Sequence, residues 1–215
     1  MDKKQKLEEI AQQVAKCQKC PLYKNTTNPV PGEGNPEAEI MFIGEGPGYN
    51  EDQQGRPFVG QAGKLLDMLL ASIKIDRKDV FIANVVKHRP PENREPMPQE
   101  IEVCREFLDR QIEVIQPKII VTLGRFSMEK FIPGARISQL HGMARFVEFG
   151  ARRIVVIPMF HPAAALRGTE VMNKLKADFI KIPNLLKGEE KVAEETPKAE
   201  VKEAPKPEES QLSLL

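Results

Sequence analysis

The sequence predicts an α/β fold, a mostly parallel β-sheet covered by helices on both faces. Three observations carry this. Short apolar runs of strand length alternate with segments whose apolar residues recur at helical spacing. The 215 residues, 40% hydrophobic and 29% charged, suffice for a buried core and fit one domain better than two. No internal repeat points to a solenoid instead.

Residues 3–17 place Leu7, Ile10, Ala11 and Val14 at helical spacing. EIMFIGE (39–45) reads as the first strand. QAGKLLDMLLASI (61–73) puts Leu65, Leu66, Leu69, Leu70 and Ile73 on one helical face. VFIANVV (80–86) is a second strand. PQEIEVCREFLDRQIEVI (98–115) is a helix with Ile101, Cys104, Leu108, Ile112 and Ile115 inward, and Pro98 suits its first turn. KIIVTLG (118–124) is a third strand, followed by a short helix, GRFSMEKF. FVEFGARRIVVIPM (146–159) reads as a hairpin turning at Gly150-Ala151. Residues 170–187 form a final helix interrupted at Pro183.

In such sheets ligands bind beyond the carboxyl ends of the strands. The segments leaving those ends are GEGPGYNED (44–52), NVVKHRPPENR (84–94), GRFSMEK (124–130) and HPAAALR (161–167). Fold logic points to one shared pocket. GEGPG is not a phosphate loop, since GxxxxGK followed by Ser or Thr is absent, nor is it GxGxxG, because Pro47 removes the freedom and no helix is expected at once. Glu45 in that turn is suited to accept a proton or orient a water, or else to cap the turn. Phe58, between Pro57 and Gly60, either stacks on a planar ligand or anchors the loop in the core. His161, fixed before Pro162, is placed to donate to developing negative charge, or to cap a helix. Arg167 meets a phosphate or solvent. His141 reads as structural.

Cys17-Gln18-Lys19-Cys20 is a CxxC at the end of a helix, and Cys104 lies inside another. With His88, in a Pro-rich loop, they make a Cys3His set that suits zinc or an iron–sulfur cluster. A redox CxxC and unrelated buried thiols are the alternatives.

No apolar run approaches the ~18–20 residues of a membrane span. The segment MDKKQKLEEIAQQ has no apolar signal region, and three cysteines cannot pair completely. The expectation is a monomer in a reducing cytoplasm or nucleoid. Residues 188–215 hold eight Glu and four Lys, whereas residues 1–187 hold 28 Lys+Arg against 23 Asp+Glu, a net of +5. A mildly basic body permits a polyanionic partner. The tail, rich in Glu, Lys, Ala and Pro, is expected to be disordered. Its end, QLSLL, resembles a truncated sliding-clamp binding motif without the aromatic pair; the plainer alternative is a solvated chain end.

As a set, these segments resemble the family 4 uracil-DNA glycosylases, the iron–sulfur group of that superfamily. The resemblance is carried by Cys17 and Cys20; Gly44-Glu45-Gly46-Pro47-Gly48 with Glu51-Asp52; Arg56-Pro57-Phe58-Val59-Gly60 with Ala62-Gly63; Asn84-Val85-Val86-Lys87 with Arg89-Pro90-Pro91 and Asn93-Arg94; Cys104; Gly124; and His161-Pro162-Ala163-Ala164. It runs in order from about residue 7 to 186 and leaves the tail uncovered.

The resemblance implies a three-layer α/β/α sandwich around a central, mainly parallel four-stranded sheet, spanning residues 1–187. The implied activity is hydrolysis of the bond between uracil and deoxyribose in DNA, leaving an abasic site, with no catalytic metal or diffusible cofactor. By motif position Glu45 would handle the attacking water and Phe58 would stack on the extruded uracil. Asn84 would read its polar edge, Glu51 would shape the wall against the thymine methyl, and His161 would support the departing base. Gly46 stands where better-known uracil glycosylases carry an aspartate, which shifts the chemistry to Glu45. Arg89, Arg94 and Arg167 are the expected DNA contacts. Most members have Cys where this chain has His88, so a [4Fe–4S] cluster would be held by Cys17, Cys20, Cys104 and His88; a labile three-ligand cluster or none are the other outcomes. A different class of function also fits: a uracil-DNA binding module that does not turn over, or traps DNA covalently, around a structural metal cluster.

Overall fold

In the computed structural model the structure describes residues 1–193. The expected tail therefore lies mostly, and QLSLL wholly, outside the described residues. The elements in chain order are α1 (Lys3–Ala15), β1 (Glu33–Gly34), β2 (Ile40–Gly44), α2 (Tyr49–Gln54), α3 (Gln61–Ser72), β3 (Phe81–Asn84), α4 (Pro98–Ile115) and β4 (Ile119–Leu123). There follow α5 (Arg125–Phe131), α6 (Ile137–Leu140), β5 (Arg145–Phe149), β6 (Arg152–Met159), α7 (Pro162–Ala165), α8 (Thr169–Phe179) and α9 (Ile182–Lys187).

The sheet has six strands in the order β1-β3-β2-β4-β6-β5. Its four middle strands, β3, β2, β4 and β6, run parallel; β1 and β5 are antiparallel edges. The parallel four-strand centre is as expected, and the count of four is corrected to six. A two-residue strand has no periodicity to read, and β5 is the first arm of the hairpin.

Alternation along the strands builds two cores. On β2, Met41 and Ile43 face one side with Ile10 and Val14 of α1 and Leu108 and Ile112 of α4. Ile40 and Phe42 face the other side with Leu66 and Leu70 of α3, Leu175 and Phe179 of α8 and Ile182 of α9. This is the three-layer sandwich. α1 starts where it does because Asp2 and Gln5 form a reciprocal capping box. The last helical segment is two helices: α8 ends at Phe179, and Pro183 sits in the first turn of α9, so the proline opens a helix rather than interrupting one. α2 begins directly after Gly48, correcting the expectation that no helix follows GEGPG.

His141 is structural here. Its Nδ1 lies 2.7 Å from Asp178 Oδ2, and its ring packs against Phe160 at 4.7 Å. The chain stays attached to the sheet to Ala193, whose N–H donates to the Ala144 carbonyl and whose carbonyl accepts from Phe146 N–H. Among the described residues no helix is long and apolar enough to cross a membrane.

Candidate active site

The four parallel strands end at Gly44, Asn84, Leu123 and Met159, all on one edge of the sheet. Beyond that edge lies a cavity of about 490 Å³ whose walls include Glu45, Gly46, Glu51, Phe58, Asn84 and His161. Three of the four expected segments line it. The fourth supports it from behind: a Cβ on Gly124 would lie 3.3 Å from His161 Cβ, and Gly124 has φ +94°.

Parallel register sets Gly44 beside Asn84. A methyl on Gly44 would sit 2.5 Å from Asn84 Oδ1 and 2.7 Å from Phe58 Cζ, so glycine is what lets the amide and the ring close over the strand end. Asn84 is buried, and its Oδ1 has no hydrogen-bond partner. An orphaned buried acceptor costs roughly 1–3 kcal/mol. Gly44→Ala is expected to cost ~1–3 kcal/mol by overpacking. An unchanged urea midpoint would show that the neighbours give way freely.

Phe58 has φ +50°, rare for a non-glycine residue, and is buried. Three contacts hold it. Arg77 donates to the carbonyls of Pro57 (2.6 Å) and Phe58 (3.1 Å) while pairing with Glu33 and Asp67. Gly63 leaves room for the Phe58 carbonyl, which a Cβ there would meet at 1.9 Å. Glu51 Oε1 accepts from Val59 N–H (2.9 Å) and Gly60 N–H (2.8 Å), just ahead of α3. Phe58 therefore both anchors its loop and forms a wall of the cavity.

The Phe58 and His161 rings stack with centroids 5.5 Å apart. That is already contact distance, so a planar ligand meets them as two walls and does not enter between them. His161 Nδ1 accepts from Ala163 N–H at 3.1 Å, capping α7. Burial lowers its pKa to about 4. The ring is thus neutral near pH 7, and with Nδ1 occupied as acceptor its proton sits on Nε2. Capping and donation are both available to one imidazole.

Glu45 is half-buried. Burial, and secondarily the Glu95 carboxylate, push its pKa up, while Arg125 pulls it down. Glu95 and Arg125 form an ion pair linking the loop after β3 to the start of α5. The Glu45 carbonyl accepts from Val86 N–H and the Gly44 carbonyl from Val85 N–H, which fixes the backbone under the carboxylate. Gly46 packs on Val86: a Cβ there would lie 2.7 Å from Val86 Cγ2.

Of the arginines, Arg94 is part-exposed and lines the cavity. It forms a two-pronged pair with Glu100 (2.9 and 2.7 Å) and donates to the Glu95 carbonyl. Arg89 lies over the exposed Tyr49 ring and donates to Asn93. Arg167 is exposed at the cavity.

Cys17, Cys20 and Cys104 pack on one core cluster. Burial raises Cys104 to about 11, with Lys87 opposing and Cys20 and Cys17 adding to the rise. The Lys87 backbone hydrogen-bonds the Cys104 thiol, which places His88 one residue from that contact. His88 is itself buried, its charged neighbour being Asp52. Three thiols are donors of the kind that bind iron or zinc. Among the described residues no three His, Cys, Asp or Glu side chains are gathered closely enough to hold a single ion. Arg77, Glu95 and Arg125 were not legible in sequence, because their partners come from distant segments.

Sheet edge, cavity and acid–imidazole pair together define a class of α/β protein, and residues 31–187 match the model of the Uracil DNA glycosylase superfamily. The chain is 49% identical over 185 residues to the type-4 uracil-DNA glycosylase of Sulfurisphaera tokodaii, covering 83% of this chain and 84% of that protein. It is 46% identical over 184 residues to that of Archaeoglobus fulgidus (83% and 92%) and 44% over 186 residues to that of Thermotoga maritima (85% and 96%). The chain belongs to the type-4 uracil-DNA glycosylases.

Proposed function

We propose that this protein is a DNA repair glycosylase that flips uracil into the cavity and hydrolyses its bond to deoxyribose. The observation that carries this is the buried, unpartnered Asn84 Oδ1 in a cavity walled by Phe58 and a neutral His161. An amide offers one acceptor and a donor pair. Uracil presents N3–H and O4, which match; cytosine presents the opposite pattern.

The C1′–N1 bond breaks with its electron pair on the base, leaving an oxocarbenium-like sugar and a uracil anion. His161 Nε2–H donates to the anion, and one well-aimed donor is worth ~3–4 kcal/mol. The Glu45 carboxylate stabilises the cation and takes a proton as water adds to C1′; its raised pKa brings it nearer to working pH. Phe58 stacks on the base, worth ~1–3 kcal/mol. Glu51 holds the Phe58 loop and faces the uracil 5-position. The base must leave the helix, and a mispaired uracil costs less to flip. Arg89, Arg94 and Arg167 meet the backbone. The test is incubation with oligonucleotides bearing U opposite G, U opposite A and unpaired U, followed by alkaline cleavage. Strand breaks at uracil are expected; intact strands throughout defeat the proposal.

We further propose that Cys17, Cys20 and Cys104, whose charges bear on one another, hold an iron–sulfur cluster, with His88 as the fourth ligand. When bound, such a group supplies a cross-link between the end of α1, the loop after β3 and α4. An anaerobic preparation is expected to be brown, with stoichiometric iron and sulfide. His88→Cys is expected to retain the iron and His88→Ala to lose it faster on gel filtration. A colourless, zinc-loaded protein overturns the assignment, and equal retention by His88→Ala removes His88 from it.

A further inference from the structure

The hydrolysis above leaves a fully buried lysine unused. Lys87 is completely buried, although bringing an ammonium out of water costs several kcal/mol. Its Nζ donates to the Asn84 main-chain carbonyl at 2.9 Å and to Gln111 Oε1 at 2.8 Å. Gln111, also buried, donates through Nε2 to the Pro31 carbonyl at 2.7 Å. The Lys87 carbonyl in turn accepts from Val30 N–H at 2.8 Å. A continuous chain of hydrogen bonds thus runs from the 30–31 segment through α4 to the carbonyl end of β3.

Asn84 is the last residue of β3 and is paired in register with Gly44, the last residue of β2. Its side chain has no hydrogen-bonded anchor of its own at Oδ1. The peptide that follows Asn84 is held from both sides, Val85 N–H donating to the Gly44 carbonyl and the Lys87 ammonium gripping the Asn84 carbonyl, and backbone angles select the side-chain rotamer. An apolar side chain would fill the same space without gripping the carbonyl.

We propose that Lys87 is a positioning residue for base recognition: by holding the Asn84 carbonyl, it presets the orientation from which the Asn84 amide meets the pyrimidine edge. Gln111 is the second half of the device, since it holds the ammonium at that carbonyl. The inference rests on the assignment of Asn84 as the reader of uracil.

The experiment separates base recognition from folding and from backbone binding. Wild type, Lys87→Met, Gln111→Leu, Gln111→Glu and Asn84→Ala are compared for inhibition by free uracil, affinity for abasic-site DNA, and melting temperature. Loss of a charge-assisted hydrogen bond is expected to weaken uracil inhibition ~10-fold or more in Lys87→Met and Gln111→Leu. Abasic-DNA affinity is expected to stay within about twofold of wild type. Gln111→Glu, which keeps an acceptor for the ammonium, is expected to retain uracil inhibition. Parallel loss of uracil and abasic-DNA binding assigns Lys87 a purely structural role and overturns the proposal. If Asn84→Ala weakens uracil inhibition while Lys87→Met and Gln111→Leu do not, the Lys87 proposal alone fails. If Asn84→Ala leaves uracil inhibition intact, the reading of Asn84 fails first. Should Lys87→Met not fold, Gln111→Leu decides.

Discussion

Glu45→Gln is expected to lower single-turnover uracil excision by about 10²–10⁴-fold while binding to uracil-containing DNA persists. Glutamine keeps the size and hydrogen-bonding reach of the side chain but can neither take a proton from water nor face the sugar cation with charge. Unchanged excision in this variant would remove Glu45 from the mechanism. The pH profile gives a second reading. Burial first, then Glu95, raises the Glu45 pKa, and Arg125 opposes them. Activity that needs the carboxylate is present above that pKa and lost as pH falls through it, at a higher pH than for an ordinary Glu near 4.3. Arg125→Ala is expected to move the acid limb further up and Glu95→Gln to move it down. Linkage also fixes the sign for stability: between the unfolded and folded pKa the native state binds more protons, so stability falls as pH rises through that window. Glu45→Gln is therefore expected to melt higher than wild type at pH 7, activity and stability moving in opposite directions.

His161→Ala is expected to reduce excision by about 10²–10³-fold, the effect of deleting one preorganised donor to developing charge. The partner observation is a flat response where an ordinary histidine would titrate. Since burial lowers the His161 pKa to about 4, no limb of the pH–rate profile near 6.5 belongs to it. A limb at that pH that disappears in His161→Ala would mean that the working species is the cation. The stability term runs from the same shift. The unfolded chain takes up this proton near pH 6.5 and the native state only near 4, so the stabilisation is full above 6.5 and is lost as pH falls toward 4. His161→Ala also removes the cap on Ala163 N–H, worth ~1 kcal/mol, so activities are best compared at equal folded fraction.

The strands that frame the cavity were legible because they are buried on both faces and read as unbroken apolar runs; IMFIG and IIVTL are buried at every position. α4 was legible to the residue because its apolar positions keep strict helical spacing and Pro98 opens it. α2 was not, because YNEDQQ has no apolar face and its one buried side chain is Asp52. Pro183 read as a breaker because sequence alone does not tell a first turn from an interior. For the site, the rule about strand ends found Glu45, Asn84 and His161 together. Arg94 lines the cavity as a part-exposed group, and its partner Glu100, which the fold buries, belongs to no pattern that the sequence singles out. Arg77 could not have been found locally, since its four acceptors lie between 10 and 44 residues away in the chain.

The way the sheet finishes bears on the protein's behaviour in concentrated solution. A bare flank of main-chain donors and acceptors is a template on which foreign strands polymerise. Here one flank is only two residues long, and the other is already met by the returning chain at Ala193. At these two places the sheet leaves a foreign strand little unpaired edge to join.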